Sequence, residues 1–335
     1  MPEAIKLTKS NRMRSPAEVM DKIIHKLNKE SGSPPFLIVS SVRQMNGPYV
    51  MPTLWYNYFF KDSAEEYSYL YDGRFNTASE VKGVYKESLN VVAIIDRAPD
   101  KMNRKVVSLR DILPLDLAYD TSVLPYDPAN GMEFEAVLNM ALKKEDKNSV
   151  VYVSAHDTTD VTPEPDVPVN ERDVVKGMYL YKSSRKHKSD ARILASGRSL
   201  LPALKIAECI ENKFGVCFEV WSCPSYTMIS REINKKYAEN IVNNRSCFSS
   251  THIHECLKEE VPTIALTHYN SLVCEQVSKY FRKGFVALGK VGGKEQSTWA
   301  DNEITVRCIY HLIKNNLISN SDFILSGYES PGSFD

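Results

Sequence analysis

The feature that most constrains the fold is a regular alternation of short apolar segments and longer helical ones between residues 192 and 315. The apolar segments Ile193–Ala195, Cys217–Trp221, Thr263–Thr267 and Phe285–Leu288 are predicted as strands, and Ser199–Lys213, Ser271–Arg282 and Ile304–Asn315 as helices. Strands that alternate with helices of about 10 to 15 residues usually run parallel and are covered by those helices. This part of the chain therefore predicts an α/β domain with a mainly parallel sheet.

A second region of the same kind is predicted before residue 155. Ser15 can cap a helix that starts at Pro16, and Glu18 stands three residues after Ser15, as a capping box requires. Apolar residues then recur at helical spacing as far as Leu27. Buried strands are predicted at Phe36–Ser40, Val91–Ile95 and Val150–Ser154, and a further helix at Glu133–Lys144. The first half of the chain is therefore also α/β in pattern.

Between these regions, residues 155–175 are rich in proline and acidic side chains, too polar and interrupted for a core element. We expect a first domain at residues 1–154, a linker with the segment that leads into the next domain at residues 155–188, and a second domain at residues 189–335. A basic cluster, Lys182–Lys188, lies in the linker. It is either a solvated part of that linker or a phosphate-binding patch.

Composition limits the function classes. The 335 residues are 43% hydrophobic and 10% aromatic, which is typical of a globular protein. Because 42 basic residues balance 42 acidic ones, no overall charge attracts the chain to nucleic acid. No apolar run is long enough to span a membrane. The seven cysteines are odd in number and unpaired in spacing, so we expect reduced thiols in the cytoplasm or the mitochondrial matrix.

One group of residues suggests a metal site. Cys247, His252, His254 and Cys256 are close in sequence, and the two histidines would share a face if the segment were extended. Their spacing matches none of the usual structural zinc patterns. The alternative, a polar loop with buried thiols, is the interpretation we adopt, and no metal ligand is predicted.

Several short motifs in the second half carry a family resemblance. Lys176–Tyr179 (KGMY) is similar to a "KGIY" motif, and Leu194–Leu200 (LASGRSL) to an "LGSGSIL" strand-to-helix turn. Gly215–Ser222 is similar to "GV…VWS", and Ala265–Tyr269 (ALTHY) to "AATDYM". In this order they resemble the C-terminal part of the bacterial-type homodimeric pyruvate dehydrogenase, a thiamine-diphosphate-dependent enzyme of the transketolase-like superfamily.

The resemblance implies two α/β domains with mainly parallel sheets. The first would be a contracted relic of the family's pyrimidine-binding domain, and the second a transketolase C-terminal-like domain. The sequence departs from the family in the first of these. It contains no Gly-Asp-Gly motif for the magnesium-bound diphosphate, and no histidine lies between His25 and His156. The stretch 108–128, where the family carries a histidine-rich catalytic loop, has none.

The resemblance leaves four candidate catalytic residues. Glu80 and Glu87 lie roughly where the family has the glutamate that contacts the cofactor's pyrimidine ring, and either can equally be a surface acid on a helix. His156 and His268 follow or end predicted strands, where active groups often lie in parallel sheets, but such histidines are more often structural. We predict that the chain alone binds no cofactor. Thiamine diphosphate and magnesium would bind only if a partner supplied the diphosphate domain.

Two functions remain open. In the first, the chain is a degenerate pyruvate-dehydrogenase-like protein that serves as a structural, assembly or regulatory subunit without catalysis. In the second, it is the pyrimidine-side half-subunit of an active thiamine-diphosphate-dependent enzyme completed by another chain. Both predict a homo-oligomer or a larger complex. The aromatic-rich segment Met51–Phe75 is the predicted contact, with Trp55, Tyr56 and Phe59 as its candidate residues.

Overall fold

The structure is a computed structural model with two compact units. It describes residues 5–27, 36–41, 50–52, 68–87, 90–97, 109–144, 148–158, 160–186, 188–243, 251–290 and 301–326. Among these residues the boundary between the units falls between Glu164 and Pro165.

The first unit contains a six-stranded parallel sheet. Its strands are β1 (Leu37–Ser40), β2 (Val50–Pro52), β3 (Tyr69–Gly73), β4 (Val91–Asp96), β5 (Val123–Tyr126) and β6 (Val150–Ser154). They lie in the order β2-β1-β3-β4-β6-β5, and every neighbouring pair is parallel. The predicted strands at Phe36–Ser40, Val91–Ile95 and Val150–Ser154 are all present.

The described residues of this unit include the helices α1 (Lys9–Arg12), α2 (Pro16–Leu27), α3 (Ala78–Glu87), α4 (Leu113–Ala118) and α5 (Gly131–Lys143). A 3-10 turn, Leu109–Ile112, leads into α4. Val81 of α3 and Leu117 of α4 join strand residues in one buried apolar cluster, while α5 packs against β4 and β6. Burial of these side chains is the main force that holds helices to the sheet.

Helix α2 begins as the sequence predicts. Ser15 Oγ accepts a hydrogen bond from the Glu18 amide at 3.2 Å, and Pro16 is the first helical residue. The second half of the predicted capping box is replaced by charge pairing. The Glu18 carboxylate accepts from Arg14 Nη1 at 2.5 Å and lies 3.1 Å from Lys22 Nζ.

The second unit contains a five-stranded sheet. Its strands are β7 (Tyr179–Lys182), β8 (Ala191–Ala195), β9 (Phe218–Ser222), β10 (Thr263–Asn270) and β11 (Phe285–Lys290). The order is β11-β10-β8-β9-β7, and only the edge strand β7 runs antiparallel, beside β9. The prediction of two α/β domains with mainly parallel sheets is confirmed.

The helices of the second unit are α6 (Glu171–Lys176), α7 (Leu200–Phe214), α8 (Tyr226–Val242), α9 (His252–Cys256), α10 (Leu272–Glu275), α11 (Asp301–Lys314) and α12 (Asn320–Leu325). Helix α8 was not predicted, because only Tyr226, Thr227 and Ile229 of its residues are buried and the apolar periodicity is weak. Within the described ranges, no helix is both long and apolar enough to cross a membrane.

The helix predicted at Ser271–Arg282 is wrong in extent. The structure has the short helix α10 and a separate 3-10 turn, Ser278–Tyr280. The cause is local hydrogen bonding. The Gln276 side-chain Nε2 donates to the Val273 carbonyl at 3.0 Å, and the Val277 amide donates to Cys274 instead, so the regular ladder ends there.

Two helical glycines of the first unit give a matched test of this packing. A Cβ atom added at Gly131 would lie 2.5 Å from the Asn11 carbonyl oxygen and 2.7 Å from Val19 Cγ2, whereas at Gly83 it would meet nothing within 4 Å. We expect Gly131→Ala to lower the free energy of unfolding by about 1–3 kcal/mol through overpacking. Gly83→Ala should raise it by about 0.5–1 kcal/mol, because alanine favours the helix interior. Urea unfolding of both variants measures this, and a stabilising Gly131→Ala would contradict the packing described.

Candidate functional site

The candidate ligand-binding site of the first unit is the carboxyl edge of its sheet. We define this edge as the carboxyl ends of β1, β3, β4 and β6. In open α/β sheets, ligands bind beyond the carboxyl ends of strands where the direction of chain connection reverses. Here β2 lies on one side of β1 and β3 on the other, so the reversal lies between β1 and β3. Ser40, Asp72, Asp96 and Ser154 line this edge, close together in register.

The first acid of the carboxyl edge, Asp72, is fully buried and paired with an arginine. Arg97 Nε donates to Asp72 Oδ1 at 2.7 Å and Nη2 to Oδ2 at 3.4 Å, while the Ser40 hydroxyl donates to Oδ2 at 3.3 Å. Burial alone would lower the pKa of Arg97, but its charge and hydrogen-bond contacts with Asp72 and Asp21 raise it above its ordinary value. The guanidinium therefore stays charged and the pair is held in two-point geometry.

The second acid, Asp96, is satisfied by three donors. Arg110 Nη2 donates to Oδ1 at 2.5 Å, the Phe75 amide to Oδ1 at 3.2 Å, and the Tyr152 hydroxyl to Oδ2 at 2.5 Å. Burial raises the pKa of Asp96, while the positive charge of Arg110 and these hydrogen bonds oppose that rise. Arg110 also donates to the Phe75 carbonyl at 2.8 Å, which fixes the guanidinium in place.

Helix α2 lies against the same edge. Arg97 Nη1 donates to the Ala17 carbonyl at 3.0 Å and to Asp21 Oδ1 at 2.8 Å. The Ala17 amide donates to the carbonyl of His156, two residues after β6 ends, at 3.2 Å. The first turns of α2 are thus bonded to residues that directly follow β4 and β6.

This arrangement limits the chemistry that the edge can perform. All four carboxylate oxygens of Asp72 and Asp96 accept hydrogen bonds from this chain. A general base needs a free lone pair beside the substrate, and a metal ligand needs an accessible oxygen. The carboxyl edge therefore has the character of a closed structural network.

The glutamates predicted as candidates lie on α3. Glu80 is exposed, and its Oε2 accepts from the Asn76 amide at 2.8 Å while its own amide donates to Thr77 Oγ1 at 3.3 Å. The two hydrogen bonds cap the start of α3, with Thr77 as the capping residue. Glu87 is the last residue of the same helix, and its side chain lies outside the described part.

The candidate histidines lie in different units. His156 is fully buried directly beyond β6, and its carbonyl holds the start of α2. His268 belongs to β10 of the second unit, and its ring centroid lies 4.1 Å from that of Tyr269. His156 thus borders the carboxyl edge through its backbone, and both histidines stay weak candidates for which no catalytic role is predicted.

The segment considered for zinc is a helix, not the extended strand that would place both histidines on one face. In α9, His252 is buried and its Nε2 donates to the Met178 carbonyl at 2.8 Å, while His254 is exposed beside Tyr280. Cys256 Sγ lies 3.6 Å from His252 Nε2, and burial raises the pKa of that thiol to about 12. Cys247 lies outside the described residues. Elsewhere in the described ranges, no group of three or more possible ligands is placed to hold a metal ion.

The predicted partner contacts cannot be placed. Trp55, Tyr56 and Phe59 lie outside the described residues, so their role stays a prediction. Of the same aromatic-rich segment, the described residues 69–73 form β3. Tyr69 and Leu70 are fully buried there, because β3 is an interior strand of the sheet.

The basic cluster of the linker is largely paired within the second unit. Lys182 Nζ and Arg185 Nε lie 3.9 and 3.4 Å from Oε2 of the buried Glu211, and Lys186 donates to Asp190 at 2.7 Å. These contacts anchor β7 and the following turn near the end of α7.

Sequence reasoning missed the four residues that dominate the carboxyl edge, Asp72, Asp96, Arg97 and Arg110. One signal was present, since Asp96 and Arg97 directly follow the apolar run Val91–Ile95. A strand-end acid beside an arginine indicates polar contacts at a sheet edge. Nothing in the sequence pattern links Arg110 to Asp96.

Comparison with known proteins identifies relatives over half of the chain. Residues 177–292 match the family model described as the transketolase-like TK C-terminal domain. The chain is 27% identical over 175 residues to a protein of Cupriavidus necator named "Pyruvate dehydrogenase E1 component". That match covers 50% of this chain and 19% of the relative, so the chain spans about a fifth of the length of the relatives it matches.

Solved structures extend the likeness in fold to nearly the whole chain. Transketolase from Campylobacter jejuni matches with a TM-score of 0.59 and 15% identity, covering 93% of this chain and 46% of that one. A split-gene transketolase, described as an inactive β4 tetramer, matches with a TM-score of 0.54 and 14% identity. It covers 93% of this chain and 96% of its own.

The colinear motifs, the two parallel sheets and these matches agree with one another. The chain is therefore related, over half of its length, to the pyruvate dehydrogenase E1 components, and its residues 177–292 match a transketolase-like C-terminal domain.

Proposed function

We propose that this chain is a pyruvate-dehydrogenase-like protein that acts as a structural, assembly or regulatory subunit without catalysis of its own. One observation carries the proposal: Arg110 pairs with Asp96 at the carboxyl edge of the first sheet. This closes, with the chain's own side chains, the edge at which an α/β sheet of this topology would bind a ligand.

The position of Arg110 in the sequence strengthens the argument. It belongs to the stretch 108–128, where the family resemblance implies a histidine-rich catalytic loop. In this chain the same stretch forms a 3-10 turn and α4, whose Leu113 and Leu117 are fully buried in the core. The apolar packing and the buried arginine of this segment stabilise the domain, and the stretch contains no histidine for proton transfer.

The residues at the carboxyl edge do not fit thiamine diphosphate. Holding that cofactor requires a carboxylate free to contact its pyrimidine ring and acidic or amide ligands for magnesium. Asp72 and Asp96 are both paired with arginines, and Glu80 is an exposed acid on α3 whose Oε2 accepts from the Asn76 amide. We therefore assign no catalytic step to this chain.

An assembly role is supported by the split-gene transketolase. That chain has nearly the same extent as this one, and the structure is described as an inactive β4 tetramer. A chain with this fold can thus associate with copies of itself without an activity.

The same match favours a second candidate function, in which this chain is the pyrimidine-side half of an active enzyme completed by another chain. In that case a partner would have to open the carboxyl edge, because Arg97 and Arg110 now hold its acids. A structure of the complex with a carboxylate of this chain on the pyrimidine ring would establish the alternative.

Cofactor binding tests the proposed function directly. The purified chain, titrated with thiamine diphosphate and magnesium in a calorimeter, should give no binding heat at cofactor concentrations of roughly 1 mM, because its sequence has no Gly-Asp-Gly motif and the acids of the carboxyl edge are paired with arginines. An active transketolase, titrated in parallel, is the positive control. Magnesium-dependent binding in the micromolar range would overturn the proposal.

A further prediction tests whether the carboxyl edge is structural. Arg97→Met leaves Asp72 as an unpaired buried charge, so we expect the free energy of unfolding to fall by about 3–5 kcal/mol. The control is Lys9→Met, which removes one partner of the exposed pair with Glu164, 3.3 Å apart and 85% and 59% exposed. That change should have no measurable effect. If Arg97→Met unfolds at the same urea concentration as the unmodified chain, the edge does not depend on this pair.

A further inference from the structure

Helix α5 carries a polar stripe that contacts the N-terminal segment of the chain. The stripe consists of Gly131, Glu135 and Asn139, which are spaced four residues apart and so share one face of the helix. Glu135 and Asn139 are only 8% and 5% exposed. Buried polar side chains on a helix need partners, and here the partners are backbone groups of residues 5–14.

The contacts of the stripe are made to main-chain atoms. Asn139 Oδ1 accepts from the Ile5 amide at 2.7 Å, and its Nδ2 donates to the Ile5 carbonyl at 2.9 Å. Glu135 Oε1 accepts from the Leu7 amide at 2.8 Å. The absence of a side chain at Gly131 admits the Asn11 carbonyl, which would lie 2.5 Å from an added Cβ atom.

The spacing of the contacts at Asn139 and Glu135 matches an extended peptide that runs antiparallel to the helix, and helix α1 follows that extended part. One helical turn advances about 5.4 Å, and two residues of extended chain advance about 6.6 Å. Contacts four residues apart on α5 therefore meet amides two residues apart on the peptide, as Ile5 and Leu7 show. Glu135 and Asn139 therefore bind main-chain groups of the peptide, and these contacts do not depend on its side chains.

The first residues of the segment are held mainly through those backbone contacts, and later residues also make side-chain contacts, Asn11 with Lys22 at 2.6 Å and Lys9 with Glu164 at 3.3 Å. Ile5 and Leu7 are only partly buried, α1 contains no buried residue, and Lys6 and Thr8 are exposed. Arg12 adds one charge contact, its Nε 3.6 Å from Glu135 Oε2. With little apolar area buried, release of this segment costs less than opening the core.

We propose that the stripe on α5 is a docking site for an extended peptide, that the N-terminal segment fills it within one copy of the chain, and that a second copy can supply its own N-terminal segment instead. Exchange of identical segments between copies is a low-cost route to an oligomer. The proposal deepens the assembly role and rests on it, because it describes how copies of the chain would associate. It does not depend on the absence of catalysis, since an exchanged segment links copies whether or not the chain is catalytic.

The test uses full-length chains and a fluorescent peptide of residues 5–14. The double variant Ile5→Pro, Leu7→Pro removes both backbone donors of the segment, so its own stripe is left open. The matched control, Ile5→Ala, Leu7→Ala, keeps both donors. Fluorescence anisotropy should show the peptide binding the proline variant at least about tenfold more tightly than the alanine variant, whose stripe stays filled.

Adding Asn139→Ala to the proline variant identifies the site. Two hydrogen bonds to the peptide are lost, so binding should weaken at least about tenfold. Urea unfolding and circular dichroism establish that each variant is folded, and a peptide with proline at positions 5 and 7 should not bind. In sedimentation, the proline variant should associate less than the alanine variant.

The outcomes separate the two proposals. If the folded proline variant does not bind the peptide, or binds it equally well without Asn139, the docking site is wrong and the non-catalytic function is untouched. Cofactor binding by the unmodified chain would refute that function and leave the docking site standing. Peptide binding without a change in sedimentation would overturn exchange between copies.

Discussion

The buried pair of Asp96 and Arg110 is the interaction on which the first unit depends most. Taking a carboxylate out of water costs several kcal/mol, and only a close, well-bonded opposite charge compensates for it. Asp96 stands at the end of a central strand, where it is also bonded to Tyr152 of the neighbouring strand and to the Phe75 amide. Strand β4, strand β6, the turn after β3 and the segment before α4 are therefore joined at one carboxylate.

The second pair extends this network to helix α2. Arg97 reaches Asp72 on one side and Ala17 and Asp21 on the other, so it links β3 to the first turns of α2. Two acids at the carboxyl ends of parallel strands are neutralised by two arginines from the same chain. The edge at which open α/β sheets commonly bind ligands is used here to hold the sheet to helix α2.

The sequence predicted the parts of the fold that depend on apolar periodicity. Interior strands such as β4 and β6, and the capped start of α2, follow from local pattern alone. Helix α8 could not be found in this way, because its residues beyond Ile229 face little of the core. The division of Ser271–Arg282 depends on a single side-chain contact of Gln276, which no periodicity reports.

The functional residues were harder to predict for a physical reason. Pairing of Arg110 with Asp96, and of Asn139 with Ile5, depends on which loops the tertiary fold brings together, and these partners are 14 and 134 residues apart in sequence. The stripe on α5 also binds main-chain groups, so the side chains of the segment that it binds give no sequence signal for the contact. Family resemblance pointed to missing catalytic groups, while only the structure shows that ion pairs occupy the carboxyl edge.

Native mass spectrometry of the protein isolated from its source tests the central claim most directly, because it records partners and bound cofactor in one spectrum. We expect an oligomer or a larger complex in which no mass corresponds to thiamine diphosphate bound to this chain. A complex with a second chain that carries thiamine diphosphate and magnesium, and loses both when this chain is removed, would contradict it.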